Sequence, residues 1–420
     1  MIRKKVLFFF LVFLFLSSVS AQASPDPKSE AFWARVLSKE AVTMADGTLL
    51  SIQDGVLKSN DTEVVLHGVN LGGWMVLETW LSPFSDPNEQ LAHTDILSIL
   101  TERFGKGKAN DLMTLYMDHF ITESDFATIR GLGFNCVRIP FWYRNFMTET
   151  GEWLTASADQ NPGFERLDWA LEQCRQNGLY AIFDMHGAPG GQSSNQSTGA
   201  IGRLNLYKSE QAQRTMETLW TAIANRYRDN PYVAAYDVMN EPQNNTHGGK
   251  PPWDSSSIKE TNQVYDRMVR TIRKVDTRHI ITVEGIWSLN HLPHPKTYGW
   301  QNMMYQLHIY DKEPEQIAGR VKELLTARKE WGVAVYVGEY NSAEREHLAS
   351  DLYRRHGISR TKWTYKTIGR DWDNWGLFNK SFEKLDPYTA TWEQLTDALG
   401  IQMQTESGFV LNQNEYTQIK

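Results

Sequence analysis

Two short strings hold the residues best placed to do chemistry: Val238-Met239-Asn240-Glu241-Pro242 and Tyr336-Val337-Gly338-Glu339-Tyr340. Each sets one carboxylate at the end of an apolar, β-branched run. Two carboxyls converging on one carbon can divide the work of breaking a glycosidic bond. One, kept protonated, hands its proton to the leaving oxygen, while the other, kept charged, meets the electron-poor carbon. Glu241 reads as the acid/base. Pro242 lacks an N–H and restricts the residue before it, so the strand is expected to end at Glu241 in an extended conformation with the carboxyl presented outward. Its pKa must be raised to act near neutrality, and burial beside a second carboxylate does that. Glu339 reads as the nucleophile: Gly338 is expected to leave room for a sugar, and Arg138 and Tyr310 are the donors expected to face it.

Side chains so far apart in sequence need a scaffold that gathers strand ends. Short β-rich runs alternate with amphipathic stretches along the chain, which predicts parallel strands joined by crossover helices. Eight strands are expected, at Val64–Val69, Cys136–Pro140, Tyr180–Asp184, Val233–Val238, Ile280–Glu284, Met303–His308, Val333–Val337 and Thr361–Tyr365. Their tips supply Asn70, Arg138, His186, Asn240 with Glu241, Trp287, His308 with Tyr310, Glu339 and Trp363, the distribution of a catalytic face. The fold class is therefore α/β, a (β/α)8 TIM barrel. A small N-terminal β-hairpin over residues 49–62, with turns at Asp54-Gly55 and Ser59-Asn60-Asp61, is expected to close its floor. No Pro-, Ser- or Gly-rich linker divides residues 24–420, so they read as one catalytic domain.

Composition narrows the function classes. Arg3, Lys4 and Lys5, the apolar run Val6–Leu16 and the small-residue site Ala21-Gln22-Ala23 read as a secretory signal peptide over residues 1–23, which implies a secreted protein without stable membrane insertion. The chain carries a net charge of −7, and removing three basic residues makes it more acidic, so no nucleic-acid partner is expected. Aromatics make up 12% of the residues, including fifteen Trp, which suits stacking on sugar rings. Cys136 and Cys174 fall in a predicted strand and a predicted helix and read as buried free thiols. His186 and His308 both end strands, but no metal-ligand spacing surrounds them, so neither metal nor cofactor is expected. A Gly-x-Ser-x-Gly elbow is absent, and Gly187-Ala188-Pro189-Gly190-Gly191-Gln192 lacks the Lys-Ser/Thr of a phosphate loop.

Seven segments then fall in the order of a known family. Gly68-Val69-Asn70-Leu71-Gly72-Gly73-Trp74 continuing to Leu77-Glu78, Phe120–Phe126, Val137-Arg138-Ile139-Pro140, His186–Gly190, Asn240-Glu241-Pro242, His308-Ile309-Tyr310 and Trp363–Lys366 resemble glycoside hydrolase family 5, and within it the secreted exo-β-1,3-glucanase branch. The resemblance implies a retaining hydrolase of β-glucan polysaccharides or oligosaccharides; separately, the chain is expected to be a monomer. It also implies that Glu241 is the acid/base, that Glu339 is the nucleophile, and that Arg138 and Tyr310 hold the nucleophile. Asn240 would bond the sugar 2-hydroxyl, His186 and His308 would order the acid/base and the sugar, and Trp363 would be a platform under the sugar. Glu78 is similar to a residue that fixes the terminal glucose. The loops at 142–153, 195–205 and 244–257 depart from the fungal exo-glucanases. An endo-β-1,4- or β-1,6-glucanase on the same scaffold and a non-catalytic carbohydrate-binding barrel are the alternative readings.

Overall fold

Strands whose every residue is buried need cover on both faces, and the apolar strands of this chain obtain it by curling into a barrel inside a ring of helices. The computed structural model describes residues 43–86, 88, 90–247, 254–369 and 375–420. The expected signal peptide and positions 248–253 of the 244–257 loop lie outside them. A meander of β1 (Leu50–Gln53), β2 (Val56–Ser59) and β3 (Thr62–Val64) comes first. The barrel strands are β4 (His67–Asn70), β5 (Cys136–Trp142), β6 (Tyr180–Gly187), β7 (Val233–Asp237), β8 (Ile280–Glu284), β9 (Met303–Ile309), β10 (Ala334–Tyr340) and β11 (Ser359–Lys362). They close in the order β10-β11-β4-β5-β6-β7-β8-β9, every pair parallel. The expected (β/α)8 TIM barrel is what the chain forms.

Helix ends follow local chemistry. The helix Pro162–Asn177 starts where Asn161 accepts the N–H of Gly163 and Pro162 occupies a first-turn position, and it stops at Gly178, whose φ of +63° suits a residue without a Cβ. Cys136 and Cys174 are buried free thiols, as expected. No helix among the described residues is long and apolar enough to cross a membrane.

The floor differs from the expectation in one respect. The predicted hairpin is a three-stranded meander whose Leu50, Leu57 and Val64 pack against Cys136, Tyr180, Ile280 and Tyr336 of the barrel. Val64 belongs to that plug rather than to the first barrel strand. Asn135 explains the break: its side chain accepts the N–H of His67 at 2.7 Å and donates to the carbonyl of Val65 at 2.9 Å, taking backbone groups that a neighbouring strand would otherwise use. At the other end β11 stops at Lys362. The chain then leaves the barrel toward a small sheet of β12 (Lys366–Ile368), β13 (Phe378–Lys380) and β14 (Val410–Leu411). Strands of two or three residues are too short to show a period, so sequence patterning leaves them unassigned.

Candidate active site

Arg138 is the third residue of β5 and points into the barrel, completely buried. A guanidinium there is stable only if its donors are met, and all of its nitrogens are engaged. Nε donates to Asp237 at 2.9 Å, Nη1 to Asn70 at 3.0 Å and Glu339 at 2.8 Å, and Nη2 to Asn240 at 2.8 Å; Nη2 also pairs with Asp184 at 3.1 Å. Asn70 in turn donates to the carbonyls of Gly338 and Thr361, tying β4 to β10 and β11.

Glu339 lies in β10, almost fully buried. A bulge places it: Val337 pairs with Leu307 and Glu339 with His308, so Gly338 is the extra residue and the carboxylate is turned toward β9. Gly338 therefore serves a purpose other than the expected one. A Cβ there would stand 1.9 Å from Gln306 Oε1 and 3.0 Å from His308 Nε2, so the missing side chain makes room for those two residues rather than for a sugar. Besides Arg138, Tyr310 donates its hydroxyl to Glu339 Oε2 at 2.7 Å.

Glu241 lies beyond the end of β7, and its backbone is not extended as expected: φ is +39°, in the left-handed region. Its N–H is drawn to a Glu284 oxygen at 2.6 Å, and its carbonyl accepts the N–H of Gln243 at 2.8 Å, a tight turn that outweighs the extended bias before proline. The side chain remains 20% exposed, yet burial of the carboxyl raises its pKa above the usual range, against the opposing pull of His186 and Arg138.

His308 joins the two carboxyls. Its Nδ1 lies 2.9 Å from Glu241 Oε1 and 3.4 Å from Glu339 Oε2, so those two oxygens are no farther apart than the sum of these legs. His186 is the extra residue of a second bulge, between β5 and β6. Its Nδ1 meets Asp184 at 2.7 Å and its ring stacks on Trp363 at 5.4 Å and 6°. Its Nε2 is 3.4 Å from Asn240 Nδ2 and 3.9 Å from Glu78 Oε1, and none of its hydrogen bonds reaches Glu241. Burial lowers both histidines to about 4, so both rings are neutral near pH 7. All nine expected site residues thus meet at one end of the barrel. Trp287, though a strand tip, is exposed and joins none of these contacts.

Sequence reasoning misses several members of the cluster. Glu284, Asp184 and Asp237 each end or nearly end an apolar strand, the same signal that marks Glu241, and Gln306 donates to Asp237 at 2.6 Å from within β9. Trp80 donates to Glu78 at 2.9 Å and sits edge-on to Trp375, which also packs on Tyr310. No periodicity marks Trp375. The pocket gathers six carboxyls around one guanidinium. Burial drives Glu78 up to about 8 and Asp184 to about 7, and it raises Asp237, Glu241 and Glu284 as well. Glu241, Glu284 and His308 offer one donor atom each within 4.8 Å of one another. Those atoms are already drawn into contacts with each other, by way of the Glu241 N–H and His308 Nδ1.

The geometry has counterparts among known proteins. Residues 102–379 match the family model "Cellulase (glycosyl hydrolase family 5)". A β-xylosidase of Phanerodontia chrysosporium is 27% identical over 78% of this chain and 71% of its own length. A probable glucan 1,3-beta-glucosidase A of Aspergillus clavatus is 35% identical over 50% of this chain, and the match spans 48% of that protein. Among solved structures, rutinosidase from Aspergillus niger superposes with a TM-score of 0.58 at 17% identity, covering 73% of this chain and 91% of that one, a likeness of fold. The matched region runs past Trp363 and takes in Arg138, both converging glutamates and the strands that carry them, so this chain belongs to glycosyl hydrolase family 5 and is a glycosidase.

Proposed function

We propose that the chain is an exported, retaining β-glucan hydrolase that releases glucose from the ends of 1,3-linked chains, with Glu241 as acid/base and Glu339 as nucleophile. The observation that carries the reading is the single His308 nitrogen within 2.9 and 3.4 Å of the two carboxyls, which brings both acids to one side of one pocket and supports direct attack by one of them. In the first step Glu339 attacks the anomeric carbon while Glu241 gives its proton to the departing glycosidic oxygen. In the second Glu241 takes a proton from water, and that water attacks the anomeric carbon on the face the leaving group vacated, opposite Glu339, whose bond to the carbon breaks, restoring both groups. Arg138 and Tyr310 orient the attacking carboxylate. Asn240, its Oδ1 held by Arg138, turns its amide toward the sugar 2-hydroxyl, where a hydrogen bond that strengthens in the transition state lowers the barrier.

End-on action is supported by Glu78, whose Oε1 is buried without a partner beside His186 and the Trp80–Trp375 wall, a place where the hydroxyls of a terminal sugar find an acceptor. The glucan 1,3-beta-glucosidase relatives support the linkage. The protein is read as a monomer that needs no metal. Hydrolysis of laminarin, pustulan and a soluble cellulose, with aryl β-glucoside and β-xyloside alongside, tests the reading. Glucose of retained configuration is expected first from laminarin, at a rate unchanged by EDTA. Glu339→Ala is expected to be inert until azide is added, which then yields α-glucosyl azide. Oligosaccharides as first products point to the endo reading, preference for the xyloside points to a xylosidase, and sugar binding without any product leaves only a carbohydrate-binding barrel.

A further inference from the structure

Glu284 does nothing in the two-step scheme, yet it is the last residue of β8, almost entirely buried, and it bonds the backbone of the acid/base and lies next to the histidine that meets its carboxyl. We infer that Glu284 is a positioning residue for Glu241: it holds the backbone of the acid/base through the Glu241 N–H and stands behind the ring of His308 that meets the carboxyl. The inference rests on Glu241 being the acid/base, as proposed above.

The direct contact is the 2.6 Å bond from the Glu241 N–H to Glu284 Oε2. It matters because Glu241 sits at a φ of +39°, a sparsely populated conformation for a residue with a side chain that surrounding contacts must hold. The indirect contact runs through His308. Its Nε2 is buried without a hydrogen-bond partner and lies 3.6 Å from the same Glu284 oxygen, a small ring rotation beyond bonding distance, while Nδ1 is already 2.9 Å from Glu241 Oε1.

The groups facing Glu284 decide which form it takes. They are Glu241, Asp237 and Glu339 among the acids, the neutral ring of His308, and the Tyr265 hydroxyl, which donates to the Glu284 carbonyl and accepts its N–H. With no cation among its contacts and three carboxyls around it, the neutral acid is favoured. A neutral carboxyl can accept the Glu241 N–H and offer an O–H toward His308 Nε2 together, which a carboxylate cannot.

The test compares two β-glucosides whose leaving groups differ in their need for a proton. For the wild type, Glu284→Ala and Glu284→Gln, kcat/KM is measured on phenyl β-glucoside, whose phenol leaves poorly, and on 2,4-dinitrophenyl β-glucoside, whose phenolate leaves unaided. Glu284→Ala is expected to lose about 10²-fold on the phenyl substrate, the scale of a misplaced catalytic group, and little on the dinitrophenyl one. Glu284→Gln, whose amide supplies both an acceptor and a donor, is expected to stay close to the wild type on both. Glu284→Asp keeps a buried acid but draws its oxygen back by one methylene; it is expected to show the same selective loss and carries the test if the Ala variant does not fold. Equal losses on both substrates, no loss in the Ala variant, or a Gln variant as impaired as Ala would overturn the role. A wild type inert on both glucosides would instead overturn the functional reading, and this role with it.

Discussion

Replacing Arg138 by Lys keeps the charge and removes the fork, which makes it a sharp test of how this pocket is held. The guanidinium has five N–H donors and serves five residues: Asn70, Asp184, Asp237, Asn240 and Glu339. An ammonium has three donors radiating from one atom, so at least two buried acceptors lose their partner. Each such loss costs about 1–3 kcal/mol, which gives a destabilisation of about 2–6 kcal/mol. Catalysis should suffer separately, because Glu339 and Asn240 are aimed by different nitrogens of the same plane and one ammonium cannot reproduce both directions. Loss of such an orienting donor lowers kcat by about 10²–10³-fold. Urea unfolding reads the first quantity and kcat/KM on an aryl β-glucoside the second. A variant within about 1 kcal/mol and tenfold of the wild type would mean that most of the five interactions contribute nothing, refuting the view of Arg138 as the hub.

Two further outcomes follow from the same geometry. Gly338→Ala puts a methyl group against Gln306, which cannot retreat without releasing Asp237; an unfolding free energy lower by about 1–3 kcal/mol and impaired turnover are expected, and a wild-type melting curve would contradict the bulge argument. Stability should also fall with pH between 6.5 and 8. In that window Glu78 (about 8) and Asp184 (about 7) keep protons that the unfolded chain has released, so the native state is penalised by about 1.4 kcal/mol per pH unit for each group still protonated. His186 and His308, held near 4, act in the opposite sense only up to about 6.5, the value of a free imidazole. Melting temperatures across that range, with Glu78→Gln expected to flatten the slope, check the sign; a slope that rises or ignores the substitution refutes it.

Much of the site is legible residue by residue. A carboxylate just past or near the close of an apolar run is a local signal, because a buried charge needs partners that few places supply, and it marks Glu241 and Glu339. The same signal is present at Asp184, Asp237 and Glu284, but a strand end does not say which side chains face inward together. The conformation of Glu241 escapes local reasoning because the bias of a residue before proline is weaker than a 2.6 Å hydrogen bond to a carboxyl from another strand, and that bond has no trace in the local sequence. Gly338 suggests substrate access, yet its neighbours are Gln306 and His308, which are placed by a bulge that shifts β10 by one residue against β9.

The local pattern of the chain sets the alternation of strand and helix, and hence the barrel, because parallel strands buried on both faces must be apolar and their crossovers amphipathic. It also determined which residue types wait at the strand ends. Tertiary structure alone decided how those ends share protons. Six carboxyls gathered in one largely buried pocket around one guanidinium cannot all be charged, and which of them keeps its proton depends on distances between strands far apart in the chain.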